Sequence, residues 1–229
     1  RDPGHLLGLE VVTMEQQPRV LQLEAGDAEA LNHAYGTNGI ITALRLATAT
    51  SVDWQELVVD CPDWRTAVDL ARRCSSAAID LHLCTVLEAA VVELLPKWDL
   101  PQRRSDRLLL LVAPDAVSTV QRLASSVGAE MTHLGAEAER HGSGLRELSW
   151  NHTTLHLRQR DPGWTYLQML LPQPEINCLE TLKQTWGDDL LWHLEGVRQQ
   201  GVQRLASLPL VRWRGAEALE QLMQQCRDL

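Results

Sequence analysis

Tyr35-Gly36-Thr37-Asn38-Gly39-Ile40-Ile41-Thr42 is the stretch that decides how this chain is read. Gly36 and Gly39 lead straight into an apolar, β-branched run that ends at Leu46. Glycine reaches positive φ and allows two backbones to approach where a Cβ would collide. The apolar run itself has the composition of a strand. A tight turn with exposed amides before a strand can lie against a flat cofactor or a phosphate. The plainer alternative is an ordinary loop entering a strand.

Upstream of the turn, residues 6–14 read as a strand, 15–18 as a turn and 20–24 as a returning strand. Asp27 is placed to cap a short helix over residues 28–33. Residues 1–48 therefore supply strands and one small helix, too few to close a stable sheet unaided. The whole chain, 229 residues, is long enough for one large domain or two small ones. Its net charge of −9, with acids spread along the sequence, argues against nucleic acid, which needs a basic footprint. No apolar run reaches the ~18 residues that a membrane span requires. The chain begins at Arg1 and shows no signal-peptide pattern, which reads as part of a longer protein. Five widely spaced cysteines without a C-x-x-C pair read as free thiols in a reducing cytoplasm rather than as a zinc site.

Downstream, Leu57-Val58-Val59 reads as a buried strand, and Pro62-Asp63 starts a helix with Trp64, Ala67, Val68 and Ala71 on its inner face. The unit recurs as Leu108 to Val112, Pro114-Asp115 and a helix carrying Val120, Leu123 and Val127. A strand-then-helix unit used twice predicts an α+β fold, a ferredoxin-like antiparallel sheet with helices on one face. Between the repeats, Thr85-Val86-Leu87-Glu88 has the capping-box pattern and predicts a helix that Pro96 stops. Residues 137–150, interrupted by Gly142 and Gly144, predict a short helix. Residues 151–160 alternate like a strand, and Asp161-Pro162-Gly163 turns into a second strand over 166–171. A helix over 175–186 is closed by Gly187, and Leu190, Trp192 and Leu194 alternate on a strand that turns near Gln200. Residues 202–208 return, 211–213 are extended, and 216–227 form a last amphipathic helix.

On the strand expected over 151–160, His152, Thr154, His156, Arg158 and Arg160 would share one face. His152 and His156 would stand roughly 13 Å apart, too far to ligate one metal. His156, Arg158 and Arg160 could instead receive an anionic substrate, arginine by bidentate hydrogen bonds; the alternative is a solvated sheet face. His193 beside an apolar strand reads as a packed core residue. Asp60, Asp63, Glu88 and Glu93 read as caps and surface charges. Trp150, Trp164, Trp192 and Trp213 could line an aromatic pocket or fill the core.

Gly36-Thr37-Asn38-Gly39-Ile40-Ile41-Thr42 resembles the G-T-x-G-I-I-T segment near the end of the flavin-binding domain in FAD-linked oxidases of the vanillyl-alcohol oxidase and glycolate oxidase type. Residues 1–13, ending Leu7-Gly8-Leu9-Glu10-Val11-Val12-Thr13, are similar to that family's D-x-V-L-G-L-E-V-V-T strand. The resemblance implies that Gly36, Thr37, Asn38, Gly39 and Ile40 lie against FAD. It also implies that residues 1–50 are the trailing part of a flavin-binding domain and 51–229 a substrate-side cap. An upstream half of the same protein would complete the cofactor site, and this part alone would be inactive. The family's W-x-x-R element is missing, since Thr153 stands three after Trp150, and so is its G-D-G-N-x-H motif. Both departures weigh against a glycolate- or lactate-type substrate. The resemblance implies a small organic substrate oxidised by hydride transfer to flavin, which the row of His156, Arg158 and Arg160 would allow to be anionic. The competing reading is a non-enzymatic ligand-binding or regulatory module of ferredoxin-like type that forms a homodimer through its sheet.

Overall fold

The computed structural model describes residues 5–31, 34–96, 100, 101, 103–139, 144–199 and 201–229. The chain opens with β1 (Leu6–Val12), β2 (Val20–Glu24), a short α1 (Ala25–Ala28) and β3 (Ile40–Leu46). β1 is central, antiparallel to β2 on one side and β3 on the other. Leu9 and Val11, two apart on β1, are buried with Ala28 in a small cluster, as period-two alternation requires. β3 is the outer strand, and all seven of its residues are exposed. The first helix starts earlier than predicted: Glu24 is its N-cap, without a side-chain bond, and Asp27 lies within its first turn. A 3-10 turn, Glu29–Leu31, comes next, and the rest of the predicted helix, residues 32 and 33, lies outside the described residues.

The predicted repeat forms the spine of the larger part of the chain. β4 (Gln55–Cys61) leads to α2 (Trp64–Ser76), β5 (Leu81–Leu87), α3 (Ala89–Leu94), β6 (Asp106–Val112), α4 (Val117–Ser125) and β7 (Glu130–Ala136). These strands lie in the order β7-β4-β6-β5 with antiparallel neighbours, the ferredoxin-like arrangement. Asp63 caps α2, its Oδ1 accepting from the Thr66 amide at 2.7 Å. Pro114 instead opens a 3-10 turn, Pro114–Ala116, and α4 begins beyond it.

Helix α5 (Asn151–Arg160), β8 (Trp164–Tyr166), β9 (Met169–Leu170), α6 (Glu175–Trp186), β10 (Leu190–Leu191), β11 (His193–Gln199), β12 (Val202–Ser207), β13 (Leu210–Arg212) and α7 (Ala216–Asp228) complete the chain. β11, β12 and β9 extend the sheet beyond β5 to seven strands, while β10, β13 and β8 pair separately. Leu108, Leu110 and Val112 face one core cluster with Val68 and Leu70 of α2, Val120 of α4, Leu179 and Leu182 of α6 and Leu222 of α7. Leu109 and Leu111, on the other face, pack with Val91, Leu145, Leu148, Leu157, Trp164, Leu191 and Leu210. An unbroken apolar strand is what double-sided burial demands. α2, α4, α6 and α7 occupy the first face; α3, α5 and the small sheet add a second layer on the other.

Two expectations are corrected. Residues 151–160 form the helix α5 rather than a strand. Its inward residues, Thr153, Thr154 and Leu157, follow helical spacing. Thr85 to Leu87 belong to β5, so the capping box does not form. The Ala89 amide is met instead by Asp106 Oδ1 at 2.8 Å, and Glu88 Oε2 accepts from the Trp192 amide at 2.8 Å.

The chain divides into two compact units, residues 1–51 with 198–201, and residues 52–197 with 202–229. Among the described residues no helix is long and apolar enough to cross a membrane.

Candidate functional site

The glycine turn is built by three left-handed residues in close succession. Tyr35 has φ 54°, Gly36 φ 73° and Gly39 φ 149°. The two glycines are required for different reasons. A Cβ on Gly36 would meet no atom within 4 Å, so that position asks only for the dihedral. A Cβ on Gly39 would lie 2.6 Å from Val11 Cγ2 and 2.8 Å from the Val12 carbonyl, so that position also permits close approach to β1. The turn is tied from within: the Thr37 amide and hydroxyl both donate to the Ala34 carbonyl, at 3.0 and 2.6 Å. Asn38 Nδ2 donates to the Ala30 carbonyl at 3.3 Å.

Nothing in its own unit seals this corner. Tyr35, Gly36, Thr37 and Asn38 are exposed, and Ile40 is 63% exposed. Among the described residues no hydrogen bond uses the amides of Gly36 or Asn38. Ile41, Leu44 and Leu46 are also exposed on β3, with Ile41 and Leu44, opposite Val11 and Leu9, on the other face from Ile40, opposite Val12. The turn thus offers backbone donors next to the exposed side chain of Ile40, chemistry suited to binding rather than to proton transfer or nucleophilic attack.

His156, Arg158 and Arg160 do not form the predicted row. On α5, at 100° per residue, His156 and Arg160 fall on one side, and Arg158 lies about 200° from His156. His156 Nε2 lies 2.8 Å from the Glu147 carbonyl, while Arg158 and Arg160 are exposed. Of the tryptophans, Trp164 and Trp192 are buried, with the Arg212 guanidinium 4.1 Å above the Trp164 ring, whereas Trp150 and Trp213 are exposed.

Sequence reasoning missed a buried polar knot in the second unit. Glu195, 1% exposed on β11, accepts through Oε1 from the Trp150 amide at 2.6 Å and pairs there with His193 Nε2 at 2.6 Å. Its Oε2 accepts from the Thr85 hydroxyl at 2.7 Å. Trp150 holds φ 51° and ψ −138°, a region rarely entered by residues other than glycine. The available signal was an acid set between the apolar residues Leu194 and Val197, which must be satisfied internally once that segment is buried. His193 is packed as predicted, with no exposed surface. The Cys84 thiol beside the knot is held protonated, pushed up first by burial, and burial likewise pushes Cys61 up to about 12 and Cys74 up to about 11 elsewhere in the unit.

His82 on β5 stacks on Trp54 with ring centroids 4.9 Å apart, and Arg146 Nη1 donates to its Nε2 at 2.6 Å. Burial first, then the Arg146 charge, holds this imidazole below its ordinary value of 6.5, against an opposing pull from Glu137. The unfolded chain therefore binds the proton first. The contribution of His82 to stability is full above 6.5 and is lost as pH falls through the lower folded value. An NMR titration should place the His82 midpoint below 6.5 in the intact protein, and Arg146→Gln should raise it. A midpoint unmoved by that substitution would remove Arg146 as a cause.

No family model and no curated protein matches the chain. Among solved structures it is similar to alkyldihydroxyacetonephosphate synthase in its P212121 form, with TM-score 0.64 and 15% identity over 98% of this chain and 47% of that one. The P1 form of that synthase gives TM-score 0.67 and 15% identity over 96% and 47%. A variant of Physcomitrella patens BBE-like 1 gives TM-score 0.52 and 8% identity over 99% and 54%. The likeness is one of fold. The chain spans about half the length of these structures.

Proposed function

We propose that this chain is the second half of an FAD-dependent oxidoreductase, supplying the trailing strands of a flavin-binding domain (residues 1–50) and a substrate-side cap (51–229). The observation that carries the reading is the bare corner at Gly36 to Ile40, with unused amides and an exposed isoleucine at the start of an outer strand whose residues are all exposed. The resemblance of this corner and of β1 to the FAD-linked oxidases supplies the cofactor. The fold shared with much longer solved structures supports a chain completed by a further half. FAD, when bound, accepts the hydride; the protein's part is to hold the cofactor and orient the substrate. Gly36, Thr37, Asn38, Gly39 and Ile40 would line the flavin side. Arg158 and Arg160, as exposed cations, stay as the proposed contacts for a small anionic substrate, without the shared face expected of a strand.

The test is an FAD titration of the full-length protein that contains this chain, monitored by flavin fluorescence and colour. A saturable yellow complex is expected. Gly36→Asp, whose side chain enters open space and whose residue type tolerates a left-handed backbone, puts a negative charge beside an anionic cofactor. It should weaken FAD by about tenfold or more, ~1.4 kcal/mol, while circular dichroism stays unchanged. A colourless protein that leaves FAD fluorescence untouched would discard the flavoenzyme reading and leave the ferredoxin-like module.

A further inference from the structure

The second unit carries a cleft of about 400 Å³ between the C-terminal half of α2, the turn into α6 and β12. Arg72, Ser76, Gln173, Glu175, Gln203 and Arg204 supply its polar wall. We propose that this cleft binds a small oxyanion, a carboxylate or phosphate group, gripped by Arg204 and Arg72. The proposal stands independently of the flavin reading.

Charge is the first argument. Arg72 Nη2 is bonded to Glu175, whose side chain is 1% exposed, so that carboxylate already has its counterion. Arg204 is partly buried and pairs with no carboxylate among the described residues; its Nη2 donates to the Leu171 carbonyl at 2.8 Å. Two guanidiniums against one carboxylate leave one positive charge on the cleft wall. A cation withdrawn from water without a partner is unfavourable, and a bound anion restores the balance.

Hydrogen bonding is the second. Nε of Arg72 and Nε of Arg204 are both buried without a partner. Each of the two guanidiniums therefore still lacks one of its hydrogen bonds within the protein. The planar fork of arginine matches the paired oxygens of a carboxylate or phosphate. α6, twelve residues long, has no side-chain cap at Pro174, and its positive end is met by the carboxylate of Glu175 in its first turn. Gln173 Nε2 donates to the Gln203 carbonyl at 3.1 Å, joining two sides of the cleft.

The experiment titrates sodium acetate and, separately, sodium phosphate into the full-length protein that contains this chain at ionic strength fixed with sodium chloride. Arginine Nε–H resonances and the thermal midpoint are followed. A saturable shift of the Arg204 Nε–H and a midpoint that climbs with the logarithm of anion concentration are expected. Acetate alone acting identifies a carboxylate site, phosphate alone a phosphate site, and both a general oxyanion site. Arg204→Met should lower affinity by about tenfold or more. Should that variant fail to fold, Gln203→Glu, which adds a carboxylate to the rim, should weaken binding in the same direction. No saturable response to either anion overturns the proposal, as does an equal response in both Arg204→Met and Gln203→Glu.

Discussion

Replacing Asp60 with alanine is expected to destabilise the second unit by about 3–5 kcal/mol, because it strands a buried cation. Asp60 and Arg107 are register partners across β4 and β6, and Arg107 is only 3% exposed. Arg107 Nε donates to Asp60 Oδ1 at 2.8 Å, and Nη2 donates to the Pro101 carbonyl at 2.8 Å. Ser105 Oγ donates to the same carboxylate oxygen. Without Asp60 the guanidinium keeps one carbonyl and loses its counterion. Removing both charges at once, Asp60→Leu with Arg107→Leu, should recover a substantial part of the loss, since replacing a whole buried pair with apolar residues is often neutral. Urea unfolding of the single and double variants measures both quantities. A double variant as unstable as Asp60→Ala would show that packing, not the stranded charge, sets the cost.

Replacing Glu195 with alanine should cost at least about 3 kcal/mol, the sum expected when several buried donors lose one acceptor. The Trp150 amide, His193 Nε2 and the Thr85 hydroxyl all end on this carboxylate. The Trp150 backbone, strained by something on the order of 1–3 kcal/mol, loses the bond that holds it. Faster hydrogen exchange is therefore expected at the start of α5. Glu195→Gln tests the cause. Its carbonyl can still accept from Trp150, and its amide can donate to a rotated Thr85 hydroxyl, so most of the stability should survive. If glutamine is as damaging as alanine, charge rather than hydrogen-bond geometry holds the knot together.

Elements governed by neighbours along the chain were legible from the residues alone. β3 spans Ile40 to Leu46, the stretch read as a strand from its β-branched run. α6 stops at Gly187, whose φ of 52° is what a terminating glycine provides. The two strand-and-helix units were visible because both strands needed side chains on two faces and both helices needed one apolar stripe. From that repeat the ferredoxin-like order followed. The candidate turn was legible for the same local reason: two positive-φ positions can be read as glycines before any partner is known.

What the chain hid depended on residues far apart in sequence. Residues 151–160 have both an alternating and a helical pattern, and burial of Leu157 in the second core cluster chose the helix. That choice dispersed the His156, Arg158 and Arg160 array. Thr85, Trp150 and Glu195 meet only because β5 and β11 pair. The sequence by itself determined local backbone form, since dihedral preference and side-chain period act over a few residues. The tertiary structure alone decided which polar groups are buried together, because that depends on which strands become neighbours.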